Sequence, residues 1–129
     1  DAAADDGVEA ALRRDIAALG RDAVGAIVAA FLGRLPDDID GLADRLREGC
    51  DADAIRRTAH RLKGAAANFD LADFCDVMRA VETTASADAR PTPGVVRDAG
   101  RAAADRLAAA ARRVGVDPAT AVAVTSSPE

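Results

Sequence analysis

From Ile55 to Phe69 the apolar residues recur at steps of four, three, four and three: Ile55, Ala59, Leu62, Ala66, Phe69. At about 100° per residue these positions share one side of an α-helix and form a heptad-like seam that other helices must cover. A similar period returns along most of the chain. No alternating run of β-branched and aromatic residues bounded by turns competes with it. Alanine makes up much of the hydrophobic 50%, and the aromatics are only Phe31, Phe69 and Phe74. Small side chains of high helix propensity favour close helix packing. The chain therefore reads as all-α.

Its 129 residues suit one domain with one core. Residues 1–7 read as a disordered N-terminus. A first helix spans about Val8 to Leu19, with Gly20 as its stop signal. A second covers Asp22 to Gly33 and buries Val24, Ile27, Val28, Phe31 and Leu32. Pro36 removes a backbone donor and restricts Leu35, which sets apart a third helix carrying Ile39, Leu42, Ala43 and Leu46. Asp51 or Asp53 caps the fourth, which holds the seam described above. Asp70 caps the fifth, with its stripe of Leu71, Phe74, Met78, Val81 and Ala85. Thr92-Pro93 starts the last helix, whose inward residues are Val96, Ala103, Leu107, Ala110 and Val114, and Gly115 ends it. Residues 8–115 thus form an antiparallel four-helix bundle, built from the third helix onward, with one or two additional N-terminal helices. Residues 116–129 read as a flexible C-terminal tail.

A net charge of -5 argues against a general nucleic-acid binder, which needs a basic face. Cys50 and Cys75 form no close pair and no disulfide framework, as in a reducing cytoplasm. No signal peptide and no membrane-spanning apolar run is present, so neither export nor direct membrane contact is expected.

The chain has a single histidine, His60, and its single lysine, Lys63, follows one helical turn later. His60 points away from the seam, so it is expected to be exposed. Arg56, Arg57, Lys63 and Gly64 lie one turn away on its side of the helix, and Ala67 lies two turns along. The set is cationic and sterically open. A neutral imidazole is a good nitrogen nucleophile near neutral pH. Neighbouring cations disfavour its protonation and then offset the charge of a transferred phosphoryl group. Lys63 is a mobile point charge on a long stem. Gly64 costs about 1 kcal/mol relative to alanine in a helix interior, in a chain that uses alanine freely, and it leaves room for a phosphate or a partner's backbone. No carboxylate, thiol or second histidine stands three or four residues from His60, so a metal site is not expected. Neither a hydrolytic triad nor a glycine-rich phosphate loop is in view.

The run His60-Arg61-Leu62-Lys63-Gly64-Ala65-Ala66-Ala67-Asn68-Phe69 resembles the signature of histidine-containing phosphotransfer (HPt) domains of bacterial phosphorelays, a histidine followed by x-Leu-Lys-Gly and small residues. Similarity extends over about residues 8 to 115. Phe31-Leu32 and Pro36 fall where that family carries similar residues, and Val81-Glu82 resembles the Leu-Glu that ends its next helix. The resemblance implies a four-helix bundle with His60 as phosphoacceptor, Lys63 as the phosphoryl-side cation and Gly64 as the clearance position. Arg56, Arg57 and Ala67 would then meet the partner. It also implies response-regulator receiver domains or a hybrid histidine kinase as partners. The chain would have no cofactor of its own, and Mg2+ would sit on the receiver. At position 70 the family usually has glycine, and this chain has Asp70. The chain would be a phosphocarrier without autonomous kinase activity. Two other readings fit the same residues: the phosphotransfer module of a chemotaxis-type histidine kinase, and a helical interaction domain with an inert His60.

Overall fold

The computed structural model describes residues 2–49, 51–84, 86 and 88–118. Five helices follow one another: α1 Ala2–Leu19, α2 Arg21–Glu48, α3 Ala52–Ala67, α4 Ala72–Thr83 and α5 Pro93–Arg113. No strand occurs among the described residues. Helices α2 to α5 form an up-and-down four-helix bundle in which α3 packs closely on α4 and α2 on α5. Helix α1 lies against α2 and α5. The core runs the length of the bundle through Leu42, Ile55, Met78, Val81 and Leu107, and α1 adds Val8 and Leu12.

The largest departure from the sequence reading is α2. Pro36 does not separate two helices but lies inside one helix of 28 residues. Proline in a helix interior costs about 3 kcal/mol through the lost donor and the ring's clash. Here the buried stripe Val24, Val28, Leu35, Ile39, Leu42 stays in phase across it, so an unbroken helix covers the core on both sides. Pro36 itself faces solvent, where water can satisfy the carbonyl it leaves unpaired. One N-terminal helix, not two, therefore stands outside the bundle. It begins at Ala2 rather than near Val8.

The helix ends follow local chemistry. Asp51 caps α3 by accepting from the Ala54 amide at 3.3 Å, and Thr92 caps α5 by accepting from the Val95 amide at 3.2 Å, with Pro93 at the first position. Asp70 does not cap α4, contrary to the sequence reading. It takes a left-handed conformation, φ 57°, in the turn that closes α3. There the Asp70 and Leu71 amides donate to the carbonyls of Ala67 and Ala66. Leu71 is the residue before α4, and no side chain caps it. Helix α5 ends in the same kind of turn at Gly115, φ 86°, and Val116 beyond it is buried in the core, so the bundle extends one residue past the expected boundary at 115. Ile27, expected in the core, is 46% exposed. Phe31 and Leu32 are half-buried. Cys50, Ala85 and residues 119–129 lie outside the described residues.

Candidate functional site

His60 projects from the outer face of α3 with its side chain 69% exposed. The seam residues Ile55, Ala59, Leu62 and Ala66 are buried on the opposite side, which fixes this orientation. Across the α3–α4 interface stands Glu82, in the last turn of α4. Its Oε2 lies 2.5 Å from His60 Nδ1, and its Oε1 accepts from Lys63 Nζ at 2.6 Å. One carboxylate thus binds the imidazole and the ammonium together. The hydrogen bond from Lys63, and after it the one from His60, hold the Glu82 carboxyl below the usual glutamate range against an opposing push from desolvation. An ionised carboxylate only accepts, so its contact with Nδ1 requires the proton on that nitrogen. In the neutral ring the free lone pair is then on the other nitrogen, Nε2.

Around this triad the sequence-predicted residues take different places. Nothing lies within 4 Å of the point where a Cβ on Gly64 would stand. The fold therefore does not require glycine there, and the gap matters only to something that approaches from outside. Ala67 is exposed and lines a hollow of about 180 Å³ with Cys75, Asp76 and Arg79. Arg56 is paired with Asp53 in the first turn of its own helix. Arg57 is exposed, one turn before His60. Cys75 is buried, its Sγ donating to the Lys63 carbonyl at 3.5 Å, and burial pushes its thiol upward. It packs α4 beneath the lysine.

The nearest charged group to the imidazole is thus a carboxylate, not the cation expected from the sequence. Glu82 is the site residue that reading missed as a functional group. Its signal was its place one residue after Val81, at the flank of the α4 stripe. In an antiparallel pair joined by a short turn, the end of the shorter α4 meets the middle of α3. On the other side of α3, Arg61 donates to both oxygens of Asp38 on α2, at 3.2 and 3.3 Å. That pair borders an open groove of about 210 Å³ floored by Ile27, Phe31, Ala65 and Phe69, in which the Phe31 and Phe69 rings pack tilted with centroids 5.2 Å apart.

A family model for the Hpt domain matches residues 26–113, from the second turn of α2 to the end of α5. The chain belongs to the Hpt domain family. It is therefore a histidine phosphotransfer module of the phosphorelay type, from a family whose domains act as phosphocarriers. Helix α1 lies outside the matched region. Searches of curated proteins and of solved structures returned no match. No cluster of potential metal ligands occurs among the described residues, and no described helix is long and apolar enough to cross a membrane.

Proposed function

We propose that this Hpt domain carries its phosphoryl group on Nε2 of His60, taking it from the aspartyl phosphate of a receiver domain and passing it to the aspartate of another receiver. The observation that carries this reading is the Glu82 contact. It engages Nδ1 and leaves Nε2 outside that contact, on a side chain 69% exposed and one turn from the open space at Gly64. In-line attack forms the Nε2–P bond as the aspartyl O–P bond breaks, and the receiver's aspartate departs with that electron pair as a carboxylate. The Nδ1 proton stays on the ring, which gains positive charge, and Glu82 offsets it. Lys63 presents its ammonium to the phosphoryl oxygens. Arg56, Arg57 and Ala67 form the rim that meets the receiver. The receiver's own Mg2+ supplies the remaining charge neutralisation, and this chain brings nucleophile, cation and a complementary surface. The return step reverses these bond changes on a second receiver.

The test is transfer from a panel of radiolabelled phospho-receivers to the wild type and to His60→Ala. Acid-labile, base-stable label on the wild type alone, with helicity unchanged in the variant, is the expected outcome. Label retained by His60→Ala would remove His60 as the acceptor. A folded wild type that accepts from no receiver would point instead to a separate ATP-binding domain as donor.

A further inference from the structure

If His60 carries the phosphoryl, as proposed above, the charge balance of the site changes beyond what Lys63 can meet. Glu82 already occupies the lysine at 2.6 Å, and a phosphoryl group adds nearly two negative charges near neutral pH. Four arginines surround the position. Arg56 is tied to Asp53. Arg61 is held by both oxygens of Asp38 and is turned toward α2. Arg57 projects from the outer face of α3, one turn before the histidine. Arg79 stands on α4, one turn before Glu82, on the flank that faces α3.

The register of the α3–α4 pair places Arg79 more closely. His60 and Lys63 meet Glu82, the Lys63 carbonyl receives Cys75, and Ala67 shares its hollow with Cys75 and Arg79. Arg79 therefore faces the stretch of α3 between Lys63 and Ala67, where Gly64 leaves open space. Its present partner is Asp76, one turn back on the same helix, at 2.9 Å, with the two side chains 57% and 68% exposed. A solvated pair of this kind holds an arginine weakly, and a phosphoryl group offers two oxygens to the guanidinium fork.

We propose that Arg79 is the second phosphoryl-binding cation of this domain: it leaves Asp76 and closes across Gly64 onto the phosphoryl oxygens of phosphorylated His60. Arg79 is then a residue of the phosphorylated state and has no role in the resting site.

The experiment is a pH titration of the phosphohistidine signal by ³¹P NMR, on wild type, Arg79→Gln, Arg79→Lys and Arg57→Gln, each charged by the same phospho-receiver. Removing a cation next to the phosphoryl raises the titration midpoint. Arg79→Gln is expected to raise it by about half a unit, Arg79→Lys to keep it close to the wild-type value, and Arg57→Gln to leave it in place. Equal midpoints for wild type and Arg79→Gln would overturn the proposal, as would a shift produced by Arg57→Gln instead. Label retained by folded His60→Ala would overturn the acceptor assignment and this proposal with it. Label on wild type with an unmoved Arg79→Gln midpoint overturns the arginine alone.

Discussion

On α2, Ile39 lies against α5 at Gly100, where a Cβ would stand 2.8 Å from its Cγ1. On the opposite side of the bundle, His60 and Lys63 on α3 reach across to Glu82 on α4. Both pairs share the apolar core, yet their characteristic contacts differ in kind. The α2–α5 pair closes by steric fit, with Arg97 bridging to Asp40 and Asp44 outside it. The α3–α4 pair closes through hydrogen-bonded charge that stays in contact with solvent. A steric closure fixes distance and resists change, whereas a charged one can exchange partners while the backbone stays still. The phosphoryl site proposed above lies on the second.

Gly100→Val breaks the comparison on the steric side. The added branches meet Ile39, and overpacking of this kind costs about 2 kcal/mol; denaturant unfolding is the measurement. Below its melting temperature the variant is expected to accept phosphoryl normally, and a large loss of transfer in the folded variant would show that the two pairs are coupled. Lys63→Ala tests the charged side. Transfer should slow by about tenfold while stability changes by less than about 0.5 kcal/mol. An unchanged rate would remove Lys63 from the phosphoryl site.

A smaller effect separates the pairs by pH. The Glu82 carboxyl is held low in the folded chain. Its contribution to stability is present above the unfolded glutamate value and is lost as pH falls through the folded value. Thermal melts between about pH 6 and about pH 3 should therefore fall more steeply for wild type than for Glu82→Gln. Parallel slopes would mean that the carboxylate contacts add nothing to the fold. The smallest change is expected at the turn joining the charged pair. Asp70→Gly relieves a left-handed aspartate and should stabilise the chain by about 0.5 kcal/mol, seen as a small rise in melting temperature. A loss would show that the Asp70 side chain, which lies where a Cβ of Gly7 would stand, holds α1 in place.

Much of this architecture could be read from residue order. The stripe from Ile55 to Phe69, the caps at Asp51 and Thr92 and the stop at Gly115 are local signals with local causes, and they mark α3 and α5 closely. Pro36 misled because its cost is local, while the compensation comes from a stripe kept in phase on both sides and buried only in the bundle. Ile27 shares the helical period of α2 but falls at the edge of the stripe, beside the α2–α3 groove, and the period alone does not say where a neighbouring helix stops covering it. His60, Lys63 and Gly64 were visible as one cluster on one helix. Glu82 was not, because its role depends on which turn of α4 faces which turn of α3.

The histidine and its carboxylate are 22 positions apart, linked by the rest of α3, a short turn and α4. Ile39 and Gly100, in contrast, enclose that whole hairpin between them. Closure entropy grows with the length of chain enclosed. The surroundings of His60 are thus drawn from a short closed loop of the bundle, and lengthening the α4–α5 connection would raise the entropic cost of closing α2 on α5 while leaving the partners of His60 as they are.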